Sequence, residues 1–179
     1  MAKPPLSRET LLPQLAAHVL NHGLGGASLR PLAKAAGTSD RMLIYHFGNK
    51  EQLVADLLDH IAGIYSAALE SAIGEQPSAT RQECFDRILA QGRHPMMQPF
   101  MVLWWEIVAG AARGIPGYRE AGEQMMAKQL AWLEKQMPEG DPDPKGGARF
   151  LMTLLEGSIM LDTVGHERTA EEGIAAGHL

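Results

Sequence analysis

The chain is predicted to be helical because its hydrophobic residues recur at helical spacing and no strand is evident. One face of a short amphipathic helix is formed by four apolar residues that lie three or four positions apart: Leu29, Leu32, Ala33 and Ala36. Ser28 is its predicted N-cap, and Pro31 fits its first turn, where the missing N–H would have had no helical partner. Gly37 is predicted to end this helix, and Ser39 to cap a second helix shortly after it.

The turn between these two helices is so short that the helices must cross steeply, which is typical of a helix-turn-helix. The second helix of such a motif lies in the major groove of DNA, so residues 40–46 are the predicted reader. Arg41 can donate to guanine or to a phosphate. The other candidates are phosphate donors and residues that touch a thymine methyl group: Tyr45, His46, Met42 and Ile44. Leu43 and Phe47 are predicted to point into the core.

Seven further helices are predicted, which makes about nine in an all-α fold. Their predicted limits are 7–22, 49–74, 80–93, 99–112, 117–136, 148–165 and a short helix from Thr169 to about Gly177. Capping boxes are predicted for three of these starts: Asn49 with Gln52, Thr80 with Glu83, and Thr169 with Glu172. The helix 99–112, PFMVLWWEIVAGAA, is apolar nearly all round, so we expect it to be buried on most sides. The segment 138–147, PEGDPDPKGG, is predicted to be a linker that cannot continue a helix.

One run of residues closely resembles the DNA-binding signature of TetR-type repressors and covers about the first third of the chain: Leu32, Ala33, Ala36, Gly37, Ser39, Leu43, Tyr45, His46, Phe47, Asn49, Lys50, Glu51 and Leu53. The resemblance implies a homodimer with a helix-turn-helix DNA-binding domain at 1–53 and a helical regulatory and dimerisation domain at 54–179. Asp40 departs from the family pattern, which often has a small or basic residue there. Its carboxylate either stabilises the N-terminus of its own helix or accepts from a cytosine amine.

The resemblance and the motif together imply three sets of site residues. The predicted DNA contacts are Ser28, Arg30, Ser39, Asp40, Arg41, Met42, Ile44, Tyr45, His46 and Lys50, the last beside a helix N-terminus that suits a phosphate. The predicted ligand pocket comprises His60, Ile64, Phe100, Met101, Trp104, Trp105, Met126 and Glu156. The predicted dimer interface comprises Phe150, Leu154, Gly157, Ser158, Leu161 and Ile174.

Two polar residues near the predicted pocket have alternative interpretations. His60 is the polar member of an otherwise apolar helix face, so it is either a hydrogen-bonded core histidine or a ligand-facing one. Glu106 is either a solvated rim residue or a polar contact for the ligand.

The formal net charge of −5 is distributed unevenly along the chain. Residues 1–53 contain six Lys or Arg and three acids, a net charge of +3, whereas the remainder contains ten basic and eighteen acidic residues, a net charge of −8. This asymmetry suits a DNA-binding head on a body that does not touch DNA, because only the head has phosphates to neutralise.

No enzyme motif is present, so no catalytic residue and no cofactor is predicted. His18 and His22 are spaced i, i+4, but no third ligand is evident and no metal site is predicted. The single Cys84 excludes an intrachain disulfide and is interpreted as a small buried apolar residue, with a redox-sensing thiol as the alternative. No run is long enough to span a membrane and no signal peptide is recognised, which predicts a cytoplasmic protein.

The leading hypothesis is therefore a transcriptional regulator, in the form of a ligand-responsive repressor. It would bind a palindromic double-stranded DNA operator as a homodimer and be released by a small, mostly apolar effector. The alternative is a DNA-binding dimer that has no small-molecule ligand and acts through a protein partner.

Overall fold

The computed structural model describes residues 6–74 and 78–177, and this part of the chain is entirely helical apart from its turns. Nine α-helices are present in it: α1 (Arg8–His22), α2 (Leu29–Ala35), α3 (Asp40–Phe47), α4 (Lys50–Ile73), α5 (Arg81–Gly92), α6 (Gln98–Ala112), α7 (Tyr118–Lys135), α8 (Pro144–Thr163) and α9 (Glu167–Gly177). Single 3-10 turns precede α2 and α6, at Leu24–Gly26 and Pro95–Met97. The predicted all-α fold is confirmed. None of the helices in the described ranges combines the length and the apolar character needed to cross a bilayer.

The first compact unit comprises the described part of Met1–Tyr65 together with Pro99–Met125. Its core is continuous and is built mostly from buried aliphatic residues of α1 to α4, with Phe47 of α3 and with Leu103 and Ile107 of α6. Tyr118 of α7 packs against this core where α6 has a glycine: a Cβ built on Gly110 would lie 1.9 Å from Cδ1 of the tyrosine ring. Glu106 of α6 accepts a hydrogen bond from the Leu24 N–H, at 2.5 Å, and therefore holds the 3-10 turn before α2.

The second compact unit comprises Ser66–Gln98 and the described part of Met126–Leu179. In it α8 packs against both α5 and α9. Arg93, at the end of α5, donates two hydrogen bonds to the Asp162 carboxylate, at 2.7 and 3.0 Å, and pairs with Glu171 of α9 at 3.4 Å. One arginine thus ties three helices together. Each compact unit combines two separate segments of the chain, so the units do not correspond to the predicted domains. The predicted boundary between a DNA-binding and a regulatory domain at residue 53 remains a prediction.

Cys84 is buried in α5, and burial raises the pKa of its thiol to about 11. At neutral pH the thiol is therefore protonated and unreactive. The predicted burial of Cys84 is confirmed.

The structure corrects the predicted starts of α8 and α9. α8 begins at Pro144 inside the predicted linker, because the Asp143 side chain accepts from the Gly146 N–H at 2.9 Å and proline is tolerated at the first helical position. α9 begins at Glu167, so Thr169 lies inside the helix and does not cap it.

The predicted burial of α6 is also wrong for this chain. Only its Leu103, Ile107 and Gly110 are buried, whereas Val102 is 54% and Val108 39% exposed. The three buried residues form one stripe of the helix. An apolar sequence on every side of α6 therefore did not produce buried contacts on every side.

Two predicted capping boxes are only half formed. Asn49 accepts from the Gln52 N–H at 2.7 Å, but the Gln52 side chain donates to Asp56 instead of returning to the cap. Thr80 accepts from the Glu83 N–H at 3.1 Å, while the Glu83 carboxylate accepts from Ala79, one residue before the cap.

Candidate nucleic-acid interface

The turn between α2 and α3 is four residues long, from Ala36 to Ser39, and is internally hydrogen-bonded. Gly37 has a φ of 59°, a left-handed conformation that glycine adopts without a side-chain clash. The Thr38 N–H reaches back to the Ala33 carbonyl at 2.9 Å, and Ser39 accepts from the Met42 N–H at 3.3 Å to start α3. The predicted stop and the predicted second cap are therefore both present, and α3 packs directly against α2.

The two faces of α3 differ sharply in exposure. Leu43 and Phe47 are buried, 0% and 1% exposed, and belong to the core of the first unit, as predicted. Arg41 is exposed and Tyr45 is 78% exposed, one helical turn apart on the opposite face. Most of the surface of this large aromatic side chain is therefore open to solvent. The exposed face of α3 therefore offers a guanidinium and a phenol side by side.

The remaining predicted residues of α3 differ in accessibility. Met42 and Ile44 are half-buried. Asp40 is exposed in the first turn, where its carboxylate interacts favourably with the helix dipole. His46 is half-buried and stands edge-on to the Tyr45 ring, at 5.2 Å between centroids. Its Nε2 atom is buried and has no hydrogen-bond partner among the described residues, so this nitrogen would reach a phosphate only after the ring rotates.

Ser28 occupies the N-cap position of α2, but its side chain makes no capping hydrogen bond. An N-cap hydroxyl accepts from the second or third helical N–H, and one of these two donors is missing because the third residue is Pro31. The predicted N-cap position is therefore confirmed, but the expected capping hydrogen bond is absent. The exposed hydroxyl of Ser28 is left available for another partner, such as a phosphate oxygen.

The exposed cations of this region surround the two helices of the motif. Arg30 and Lys34 lie on α2 and line an open cavity of about 560 Å³ together with His18, Pro31 and Ala35. Lys50 lies at the first turn of α4. In the described part of the chain none of these three cations pairs with a carboxylate, so their charge is available to an external anion.

A residue that the sequence did not single out, Arg8, holds α3 from behind. Its Nε donates to the His46 carbonyl at 2.7 Å, and its Nη1 donates to Asp56 Oδ2 at 2.9 Å. Its guanidinium also lies 5.4 Å from the centre of the Phe47 ring. Gln52 donates to the other Asp56 oxygen at 2.6 Å and so fixes the carboxylate. Arg8 therefore connects the start of α1, the end of α3 and α4, and a charge count alone does not reveal that role.

The predicted ligand-pocket residues are divided between the two compact units. Six lie in the first: His60, Ile64, Phe100, Met101, Trp104 and Trp105. Met126 and Glu156 lie in the second. The Phe100 ring packs against Tyr65, at 5.6 Å between centroids. His60 is half-buried, and Glu106, as described above, bonds to the chain itself. None of the predicted pocket residues lines the cavity beside α2, and the ligand pocket remains a prediction.

The predicted dimer residues fall on two different faces of α8. Phe150 is 47% exposed, and Leu154, Gly157 and Leu161 are half-buried on the same stripe, as is Ile174 on α9. Ser158 is 3% exposed within the single chain, and its hydroxyl donates to the Leu154 carbonyl at 2.7 Å. It belongs to the buried face of α8 within the single chain, and its place in the dimer interface remains a prediction.

The helix-turn-helix matches a known family. Residues 14–57 match the family model of bacterial regulatory proteins of the tetR family. No curated protein sequence matches the chain.

Solved structures share the fold along nearly the whole chain. A protein from Rhodococcus sp. assigned to the TetR family of transcriptional regulators is 20% identical, with a TM-score of 0.71 over 95% of each chain. A transcriptional regulator from Streptomyces coelicolor A3(2) is 26% identical, with a TM-score of 0.67 over 87% of this chain and 86% of that one. The multidrug binding protein EbrR, in complex with proflavin, is 19% identical, with a TM-score of 0.66 over 94% and 98%.

The matched segment contains the turn, the anchored inner face of α3 and its exposed outer face, and the shared fold extends over the helices that follow. Residues 14–57 thus match the tetR-family model, and the chain has the fold of the solved transcriptional regulators that it resembles.

Proposed function

We propose that the protein is a cytoplasmic repressor that binds a palindromic operator as a homodimer, releases it when a small, mostly apolar effector binds, and has no catalytic role. The observation that carries the proposal is the exposed face of α3, where Arg41 and Tyr45 are presented while Leu43 and Phe47 are anchored. Arg41 suits a guanine edge or a phosphate, and Tyr45 suits a phosphate. Ser28, Arg30 and Lys50 supply further phosphate contacts around the same helix.

The homodimer is supported by an apolar stripe on the outer face of α8. Its residues are separated by four, three, four and three positions, the spacing of a seam between two packed helices: Phe150, Leu154, Gly157, Leu161 and Val164. Phe150 is 47% and Val164 62% exposed at its ends. The adjoining face of α8, with Leu151, Leu155 and Ser158, is buried within the chain. A second copy of the chain would cover the stripe, and Gly157 at its centre permits close approach of the backbones.

The effector is supported by two tryptophans. Trp132 is 8% exposed, yet its Nε1 has no hydrogen-bond partner among the described residues, and the same is true of the buried Nε1 of Trp105. A buried donor without an acceptor is costly unless something else satisfies it. An apolar effector that carries an acceptor for either indole would do so. The likeness in fold to EbrR, a multidrug binding protein, favours the same class of ligand.

Release would be mechanical. Two recognition helices of a dimer must lie about 34 Å apart to enter successive major grooves on one side of the DNA. An effector that binds better to a dimer with another spacing weakens DNA binding, and the usual coupling is about 1–3 kcal/mol.

The test is selection of bound duplexes from random-sequence DNA by the purified full-length protein at one stated salt concentration. The proposal predicts enrichment of a palindrome whose half-site centres lie about 10 base pairs, or a multiple of this, apart. Enrichment of a single half-site would contradict the homodimeric repressor, and no enrichment at low salt would contradict the operator itself. Screening apolar compounds against the selected operator then tests the effector.

A further inference from the structure

A second cavity lies entirely within the first compact unit, next to the helix-turn-helix. Its volume is about 340 Å³, within the range of sites for small organic ligands. Three parts of the chain line it: the connection between α1 and α2, the first half of α4, and the α6–α7 connection with the start of α7. It shares no residue with the predicted ligand pocket.

The wall of this cavity is mainly apolar. Leu24 and Leu58 are buried, 9% and 5% exposed, and Val54 and Tyr118 are half-buried. Ile115 is 41% exposed at the edge, although it is a large aliphatic residue in a connecting segment. Exposed apolar surface around an apolar recess favours a ligand with a hydrocarbon part over a purely polar one.

The charged groups of the cavity favour an anion on that ligand. Lys50 lines the cavity and forms no ion pair with any described residue. Two helices begin at this cavity, α4 at Lys50 and α7 at Tyr118, and helix N-termini attract negative charge. Glu51 is the opposing group, an exposed carboxylate in the first turn of α4. One ammonium and two helix N-termini outweigh a single exposed carboxylate.

We propose that this cavity binds a small amphipathic carboxylate, with its hydrocarbon part against Leu24, Val54 and Leu58 and its carboxylate paired with the Lys50 ammonium. A bound carboxylate would also compete with a DNA phosphate for Lys50. The ligand would therefore weaken DNA binding from a site next to the helix-turn-helix itself. The binding step stands on the cavity alone, whereas the effect on DNA rests on the proposed function.

Binding is tested without DNA by titrating full-length protein with octanoate and recording methyl NMR spectra, with octylamine and octanol as matched ligands of opposite and no charge. We expect octanoate to bind about tenfold more tightly than octylamine, from one reversed charge. The shifted methyl groups should be those of Leu24, Val54, Leu58 and Ile115. No binding of octanoate at millimolar concentration, or shifts confined to other methyl groups, would overturn the proposal.

Two pairs of variants sharpen the test. Ala55→Trp fills the exposed edge of the cavity and should abolish octanoate binding, whereas Ala67→Trp, an exposed position on the same helix outside the cavity, should leave it unchanged. Lys50→Gln should weaken octanoate binding about tenfold and leave octanol binding unchanged, whereas Lys34→Gln should change neither. Equal loss with octanol would contradict the assigned role of Lys50.

The effect on DNA is a separate measurement. Octanoate should weaken operator binding by the wild type but not by Ala55→Trp. If octanoate shifts the cavity methyl groups and DNA affinity is unchanged, the site stands and the coupling to DNA is wrong. If the protein selects no operator at all, the proposed function fails while the NMR titration still decides the site.

Discussion

At the scale of single residues, the contact between Gly110 and Tyr118 shows how one missing methyl group allows two helices to pack. A Cβ at Gly110 would overlap the tyrosine ring, whereas a Cβ at Gly122 would make only ordinary van der Waals contacts, with Ile107 Cγ2 at 3.6 Å and Trp104 Cζ3 at 3.9 Å. Both glycines lie inside helices, where alanine is intrinsically the better residue. The two positions therefore separate helix propensity from packing.

Gly110→Ala is expected to lower the free energy of unfolding by about 1–3 kcal/mol, because the added methyl group displaces the Tyr118 ring. Gly122→Ala should leave it unchanged or raise it by up to about 1 kcal/mol. Urea unfolding followed by circular dichroism measures both. Adding Tyr118→Ala should reduce the cost of Gly110→Ala, and equal costs in both backgrounds would contradict the overlap.

Arg8→Ala is expected to lower the free energy of unfolding by about 1 kcal/mol, because the end of α3 loses a cation and a hydrogen bond to its carbonyl. The estimate is small because the arginine side chain is 48% exposed. Operator binding should weaken as well, since α3 is less firmly held. Exposed Arg119→Ala is the control, and a loss of the same size there would show that charge alone accounts for the effect.

The roles of single residues could be predicted where they depend on residues nearby in the sequence. Ser39 and Met42 form the expected cap, and Cys84 is buried as expected. Ser28 occupies the predicted N-cap position but makes no capping hydrogen bond, and the loss of one possible donor at Pro31 is visible in the sequence. The bond from Arg8 to the His46 carbonyl spans 38 positions, so only the folded chain brings the two together.

At the scale of elements, the connection between α7 and α8 is held by one ion pair. Arg81 of α5 donates two hydrogen bonds to the Asp141 carboxylate, at 2.7 and 2.6 Å, and a third to the Asp143 carbonyl at 3.1 Å. Asp141 in turn accepts from the Asp143 N–H at 2.9 Å. Asp143 caps α8, so the arginine fixes the segment in which that helix begins.

The Arg81 guanidinium lowers the pKa of Asp141 from its usual 3.8 to about 2. A carboxyl with a lowered folded-state pKa stabilises the fold above its unfolded pKa, and this contribution is lost as the pH falls from about 4 towards 2. Arg81→Gln should therefore reduce the steepness of acid destabilisation in this window. Urea unfolding at pH 2 to 5 measures it, with exposed Arg168→Gln as control. An unchanged slope in Arg81→Gln would contradict the assignment.

Elements were predicted well in number and type, because helical spacing and caps are local signals. Their limits failed where the signal was ambiguous, as at Pro144, which reads as a breaker yet is a favourable first helical residue after Asp143. The prediction that α6 is buried on most sides failed for another reason. The composition of a helix shows which residues can be buried, but the neighbouring helices decide which are, here Leu103 and Ile107.

At the scale of the whole molecule, the proposed repressor requires two copies of the chain to meet along α8. Phe150→Glu should convert the proposed dimer into a monomer, because a carboxylate would be buried in an apolar seam. Arg149→Glu, exposed in the same turn but off the stripe, should leave the dimer intact. Sedimentation equilibrium measures both, and a dimeric Phe150→Glu variant would contradict the proposed interface.

The exposed face of α3 is proposed to read DNA, and operator affinity measured by fluorescence anisotropy at one fixed salt concentration tests this most directly. Arg41→Ala and Tyr45→Ala should each weaken binding by about tenfold or more, whereas the exposed Arg119→Ala should bind as the wild type does. Circular dichroism of each variant excludes unfolding. Wild-type affinity in both α3 variants would contradict the claim.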